Sequence, residues 1–153
     1  MQIEEAIQQK KPFRNEWQRA TVNLMYTTNE VRNRNKKILK KYDLTLQQYN
    51  VLRILRGAGK PISTCIIRER LLDNMADASR LVDRIAQKNL VERTPCEEDK
   101  RLVDVSLSKA GLELLVKVEE SNPQMDKLLG KLTEKEAKVL NDLLDKIRQD
   151  FCS

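Results

Sequence analysis

Histidine is absent from this chain of 153 residues. Its absence removes imidazole metal ligands, histidine-dependent catalytic triads and imidazole pH switches together. The three cysteines are an odd number at wide spacing, a pattern that indicates neither a disulfide framework nor a zinc site. The carboxylates are interleaved with lysines and arginines, as on solvated helix faces. We therefore expect no catalytic residues, no metal and no cofactor, and the sequence does not predict an enzyme.

Long apolar runs and a signal peptide are missing too. No segment approaches the ~20 apolar residues of a transmembrane helix, and the amino-terminal segment MQIEEAIQQKK has no hydrophobic core. Four glycines, four prolines and 4% aromatic residues favour a mainly helical fold, and a length of 153 residues suits one domain. We expect a cytoplasmic protein with no membrane partner.

Positive charge is concentrated in the first third of the chain. The net charge is +6, and residues 1–60 carry 13 basic and 5 acidic side chains, whereas residues 61–105 and 106–153 each carry 8 and 9. An excess of positive charge favours an acidic partner. The densest basic cluster comprises Arg32, Arg34, Lys36, Lys37, Lys40 and Lys41. Two interpretations of this cluster stay open, a solvated helix face and contact with phosphates.

Residues 78–111 have the order of elements that is typical of a winged helix-turn-helix. An amphipathic helix is followed by a short strand, a charged tip, a second strand and a new helix. Alternating apolar and polar residues at 102–107 predict the second strand, which pairs with residues 90–94 and leaves residues 95–100 as the tip. Such a helix fits the major groove and the ribbon reaches the neighbouring groove, so this order predicts a reader of DNA.

The same stretch resembles the MarR family of bacterial transcriptional regulators. The matching motifs are RLVDRI at residues 80–85, LVER at residues 90–93, the D-x-R of Asp99 and Arg101, and VSLSKAG at residues 105–111. Asn89 stands where the family usually has glycine, and asparagine is the next-best residue for a left-handed helix end. The flanking helices also match the family's layout, so the resemblance covers essentially the whole chain.

The resemblance implies a fold that is mainly α with a small β-wing. Residues 1–153 are expected to form a single MarR-like domain. Within it, about 44–108 form the winged helix-turn-helix, and the N- and C-terminal helices at about 1–42 and 109–153 form a dimerisation region.

Local signals place the individual helices. Apolar residues at helical spacing predict a long helix over residues 13–41. Asp73 or Asn74 is predicted to cap the reading helix, which spans about residues 75–88. Two capping boxes begin further helices, Thr45 with Gln48 and Thr133 with Glu136, and single N-caps are predicted at Ser63 and Ser108.

The outward face of the predicted reading helix carries the DNA-binding hypothesis. Its candidate residues are Ala76, Asp77, Ser79, Arg80 and Arg84. Because N-terminal residues of such a helix meet base edges, Arg80 is assigned to guanine, Ser79 to a base or a phosphate, and Ala76 to a thymine methyl. Asp77 either joins this contact or only stabilises the helix dipole. Arg84 is assigned to a phosphate or to a salt bridge with the wing.

Two residues of the wing are assigned by the resemblance. In the family the arginine of the D-x-R enters the minor groove and the aspartate braces the wing, so Arg101 is the expected DNA-binding probe and Asp99 the expected brace. A narrow minor groove focuses negative potential, which suits an arginine. The neighbouring Glu97 and Glu98 either point away from DNA or weaken nonspecific binding.

Apolar side chains at both ends of the chain are assigned to core or dimer packing. They are Trp17, Leu24, Leu140, Leu144, Ile147 and Phe151. The resemblance implies a homodimer in which the terminal regions interlock. A twofold dimer presents its reading helices one DNA turn apart, roughly 34 Å, which predicts a palindromic operator.

The resemblance also implies a signal that releases DNA, either a small aromatic or lipophilic effector or the oxidation of a cysteine. A reactive cysteine is exposed and has a lowered pKa. Cys96, at the predicted wing tip, is expected to be exposed and is the redox candidate, whereas Cys65 is expected to be partly buried. We interpret the chain as a repressor that binds an operator in double-stranded DNA. The alternative is a winged helix for protein docking that does not bind DNA.

Overall fold

Eight helices and three strands are present in the part of the chain that the computed structural model describes, which is residues 1–73, 76–96, 102–149 and 151. The helices are α1 (Ile3–Ala6), α2 (Glu16–Leu39), α3 (Leu46–Ala58), α4 (Thr64–Arg70), α5 (Ala78–Gln87), α6 (Lys109–Glu119), α7 (Asn122–Asp126) and α8 (Glu134–Gln149). The strands are β1 (Ile62–Ser63), β2 (Val91–Pro95) and β3 (Val103–Leu107), and a 3-10 turn (Lys40–Tyr42) follows α2. The expected fold class, mainly helical with a small β-wing, is confirmed.

Side-chain caps begin four of the eight described helices where the sequence predicts them. Thr45 and Gln48 form a reciprocal capping box at α3, and Thr133 and Glu136 form another at α8. The hydrogen bonds from Thr133 hold the pKa of Glu136 below its usual range, because they favour the charged carboxylate. Ser63 and Ser108 cap α4 and α6, each accepting a backbone N–H three residues on.

Several element boundaries differ from the predictions. The long helix begins at Glu16, later than predicted, because the Asn15 side chain accepts the N–H of Gln18. Gly57 lies inside α3, and Gly59 ends that helix with a left-handed φ of 64°. The short helix α1 was not predicted; it contacts α2 through an Arg19 Nε to Glu4 Oε1 contact of 2.7 Å.

The wing is a three-stranded antiparallel sheet in the order β1-β3-β2. Val105 of β3 lies opposite Ile62 on one side and Arg93 on the other. The β2–β3 ribbon confirms the predicted pairing, whereas β1 was not predicted because two residues are too few for an alternation signal. Val105 is buried as expected, but Val103 is exposed, since β3 runs out of the core towards the tip.

The hydrophobic core lies within the winged helix-turn-helix and its contacts with α2 and α6. Its fully buried side chains include Leu39, Val51, Leu52, Ile67, Val82, Ile85, Val105, Leu115 and Val118. Helix α3 is central, since it contacts α2, α4, α5, α6 and β3. The same core therefore fixes the orientation of the reading helix and of the wing.

The turn after α5 sets the direction in which the wing leaves the reading helix. Asn89 adopts a left-handed φ of 58°, as the family's usual glycine would. The N–H of Leu90 then donates to the carbonyl of Ile85 at 3.0 Å, which is a typical helix-end bond. Lys88 lies 2.8 Å from Asp43 Oδ2 and so holds this turn against the end of the 3-10 turn.

Candidate nucleic-acid interface

Helices α4 and α5 form the helix-turn-helix and pack on each other and on α3. Asp77 is the N-cap of α5, because its Oδ1 accepts the N–H of Arg80 at 3.1 Å. The predicted caps Asp73 and Asn74 and the predicted start near residue 75 were wrong: the helix begins at Ala78. Ala76 and Asp77 thus precede the reading helix instead of lying in its first turn. Asn74 itself is outside the described residues.

Helix α5 divides cleanly into a buried and an exposed face. Its buried residues are Ala78, Leu81, Val82 and Ile85. Its exposed residues are Ser79, Arg80, Asp83, Arg84 and Gln87. At 3.6 residues per turn the exposed set lies on one side of the helix. Three of the predicted DNA-binding residues are therefore brought together on a single solvent-facing surface, and Ala76, half-buried, lies at its edge.

Arg80 projects from this face into solvent. Its side chain is 81% exposed, and its Nε lies 3.3 Å from Asp77 Oδ2. Asp77 therefore uses one carboxylate oxygen for the backbone N–H and the other for the side chain of the same residue. The sequence analysis assigned Asp77 to the helix dipole or to DNA and did not foresee this contact.

A salt bridge joins the reading helix to the wing. Asp83 of α5 accepts from the guanidinium of Arg93 in β2. The wing salt bridge considered for Arg84 is thus made by its neighbour Asp83, because Asp83 faces β2. The predicted brace Asp99 and the predicted minor-groove probe Arg101 lie outside the described residues. The Asp83–Arg93 pair could have been suspected from the sequence, since both residues lie in the motifs RLVDRI and LVER.

The terminal helices leave an apolar groove uncovered. Trp17 is 81% exposed and Phe151 77%, while Leu24 and Ile147 are also exposed and Leu140 and Leu144 are half-buried. None of the described residues of α8 is buried. The predicted set therefore does not form a core within one chain. All six residues line one groove of about 1570 Å³, which is larger than the ~300–1,000 Å³ of typical small-molecule sites.

The exposure of Cys65 and Cys96 differs from the predictions. Cys65 is exposed, not partly buried, because it lies on the outer side of α4, with Sγ 3.6 Å from Glu69 Oε1. Cys96 is half-buried, not exposed, since its N–H continues the ribbon by donating to the carbonyl of Leu102 at 3.0 Å. The premise of the Cys96 redox candidate, free exposure, is therefore only partly met.

Neither a metal site nor a membrane-spanning helix is found over the described ranges. No set of three or more histidine, cysteine, aspartate or glutamate side chains there converges on a metal-sized site. Among the same residues, no helix combines the length and apolar character needed to cross a bilayer.

Comparison with known proteins identifies the family. The family model described as MarR family matches residues 42–102, which span the helix-turn-helix, β1 and β2 and end before β3. The transcriptional regulator MgrA of Staphylococcus aureus is 30% identical over 115 residues, which are 75% of this chain and 77% of MgrA. The chain belongs to the MarR family.

Two further MarR-family relatives cover more of this chain. The transcriptional repressor IacR of Pseudomonas putida is 29% identical over 127 residues, 82% of this chain and 72% of IacR. A crystal structure of mutant MarR from E. coli complexed with operator DNA has a TM-score of 0.79 at 25% identity, covering 90% of this chain and 99% of that one. These relatives are transcriptional regulators, and the fold described above is that of a winged-helix regulator.

Proposed function

We propose that this protein is a sequence-specific regulator that binds an operator in double-stranded DNA through α5 and the wing. The observation that carries the proposal is the exposed face of α5, where Ser79, Arg80 and Arg84 lie together on a helix held rigidly by the core. Arg80 reads guanine, Ser79 contacts a base or a phosphate and Arg84 contacts a phosphate. From the sequence, Arg101 keeps the role of minor-groove probe and Asp99 that of brace, while Ala76 and Asp77 border the contact.

We propose that two copies bind the operator together. The uncovered groove between the terminal helices suits a polypeptide better than a small ligand, and a second copy supplies matching apolar helices. The dimerisation region thus comprises residues 1–42 and 109–153, and the winged helix-turn-helix residues 44–108. With twofold symmetry the reading helices lie roughly 34 Å apart, so the operator is palindromic. IacR is named a transcriptional repressor, and we propose that this protein also represses transcription, by occluding a promoter.

Replacing Arg80 with alanine is expected to weaken operator binding by about 1–3 kcal/mol for each half-site, which is roughly 5- to 150-fold per half-site, because each protomer loses a bidentate contact to guanine. Sequences are first selected from a random duplex library, and the affinity of each protein is then measured on the enriched duplex and on a scrambled one. Arg14→Ala, an equal loss of charge at an exposed residue before α2, is the control.

The selection also separates the DNA-binding proposal from a protein-docking module. A DNA regulator enriches a palindrome, and its affinity falls steeply with added salt as counterions are released. If no sequence is enriched at any salt concentration, the DNA-binding proposal is wrong. If enrichment occurs but Arg80→Ala binds the enriched duplex as the parent does, the assignment of Arg80 is wrong.

We propose that a small aromatic or lipophilic effector releases the DNA. The second copy is proposed to cover the part of the groove that the terminal helices line, and the other end of the groove lies at Gln47 and Lys88 of the winged helix-turn-helix. A ligand at that end contacts both regions. Its lining includes Lys40 and Asn35, whose Oδ1 is buried with no hydrogen-bond partner among the described residues. Benzoate and p-cresol are suitable probes of an acid and an uncharged lipophile.

Benzoate is expected to lower operator affinity at least about tenfold, within the range of allosteric couplings. The change is measured by fluorescence anisotropy of a labelled operator. Lys40→Ala is expected to reduce the response to benzoate while leaving that to p-cresol, because only the acid carries a charge to pair with Lys40. If the parent protein and Lys40→Ala responded equally to benzoate, an acid site beside Lys40 would be contradicted.

A further inference from the structure

We propose that Asp77 increases the specificity of DNA binding. Its carboxylate disfavours contact between Arg80 and the phosphates but leaves the terminal nitrogens of Arg80 available to a matching base. The inference rests on the proposed reading role of α5 and concerns how that role discriminates between DNA sequences. Asp77 is thereby a positioning residue that acts through Arg80, in addition to capping the helix.

The geometry fixes the Asp77 carboxylate in place. Oδ1 accepts the backbone N–H of Arg80 at 3.1 Å, and that N–H is held by the helix. Oδ2 lies 3.3 Å from Arg80 Nε. One carboxylate thus spans the main chain and the side chain of a single residue, so the guanidinium is tethered beside the N-terminus of the reading helix.

The tether is compatible with base reading. A guanidinium has five N–H donors, and the contact with Asp77 uses Nε alone. The terminal nitrogens can therefore donate to guanine O6 and N7. The pair is also well exposed, at 81% for Arg80 and 55% for Asp77, and exposed ion pairs are weak. The guanidinium can therefore shift to reach a base and donate two hydrogen bonds to it while Nε stays near Asp77.

Charge distinguishes a phosphate from a base as the DNA group that Arg80 contacts. A phosphate is attracted by Arg80 but repelled by the adjacent carboxylate, so the pair offers it little net charge. Guanine is neutral and is not repelled. Asp77 therefore penalises nonspecific contact with the DNA backbone more than specific contact with a base. The nearly balanced charge of residues 61–105, with 8 basic and 9 acidic side chains, fits a reader that does not rely on bulk attraction.

Asparagine at position 77 separates this role from capping. Asparagine and aspartate are equally good N-caps, so Asp77→Asn keeps the bond to the Arg80 N–H. It replaces the charged oxygen beside Arg80 Nε with a neutral NH2 donor, so the ion pair is lost. Glu134→Gln makes the same change of net charge in the first turn of α8, outside the winged helix, and is the matched control.

The experiment compares the parent protein, Asp77→Asn and Glu134→Gln on the selected operator and on a scrambled duplex over a range of salt. Asp77→Asn is expected to raise affinity for the scrambled duplex about 3- to 10-fold and to steepen its log–log salt dependence by about one. Operator affinity is expected to change less than about twofold, so the specificity ratio falls. Glu134→Gln should leave the ratio as it is in the parent.

A double-mutant cycle completes the test. In the Arg80→Ala background, Asp77→Asn is expected to have no effect on the specificity ratio, because the side chain it positions is gone. An unchanged ratio in Asp77→Asn alone would overturn the inference while leaving operator preference intact. A parent protein with no operator preference at all would instead overturn the proposed function.

Discussion

Replacing Gly111 with alanine is expected to destabilise the protein by more than about 3 kcal/mol, the upper end of ordinary overpacking costs. A Cβ at this position would lie 2.1 Å from the carbonyl oxygen of Leu90 and 2.9 Å from Leu107 Cδ1. The first of these atoms belongs to the backbone between α5 and β2, so the clash is relieved only if α6 and that turn move apart. Operator binding is expected to fail together with stability.

The measurement is thermal unfolding, with a fall in Tm of about 6–12 °C or more at this chain length. Gly57→Ala is the matched control, because no atom lies within 4 Å of a Cβ built there and the residue is inside α3. That variant is expected to stabilise the protein by about 0.4–1 kcal/mol. If Gly111→Ala melts at the parent temperature, the close approach of α6 to the α5–β2 turn is wrong.

Charging the exposed apolar face of α8 is expected to produce a monomer and to weaken operator binding by about 10²- to 10⁴-fold, since the two half-sites are no longer bound by one linked molecule. The double variant Leu143→Asp/Ile147→Asp places carboxylates on two groove-lining residues that are 55% and 47% exposed in the single chain. Because the dimer is twofold, each substitution would bury one carboxylate in each protomer, at a high desolvation cost.

Sedimentation or light scattering then gives the mass of each variant relative to the chain mass of 17.8 kDa. Lys138→Asp/Gln149→Asp, which adds two carboxylates to exposed positions outside the groove, is expected to stay dimeric. No described residue of α8 is buried within its own chain, so the winged helix should still unfold cooperatively in the monomer. A double variant that remains dimeric would contradict the proposed interface.

Much of the fold was predictable because its signals are local. The capping boxes at α3 and α8 depend on side chains three residues apart, and both formed as predicted. The left-handed turn at Asn89 and the β2–β3 ribbon also follow from short-range backbone preferences and alternation. The family followed from the same stretch, since its motifs lie within residues 80–111.

The start of the reading helix was predicted wrongly because several residues compete for one cap. Asp73, Asn74 and Asp77 are all good N-caps by residue type. The choice of Asp77 depends on how α5 packs with Leu81 and Ile85 in the core. That packing involves other elements of the fold and cannot be read from the residues around the cap. That displacement moved Asp77 from the face of the helix to its end, beside Arg80.

The sequence alone determined the helical periodicity, the two capping boxes, the β2–β3 ribbon and the resemblance that led to the family, because each arises from residues close together in the chain. The tertiary structure decided which charges meet: Asp83 with Arg93 across helix and wing, and Lys88 with Asp43 across the turn. It also decided that the apolar stripes of α2 and α8 share an uncovered groove. These features depend on how the helices and the wing pack, because electrostatic and hydrophobic interactions depend on the distance between groups in space and not on their separation in the sequence.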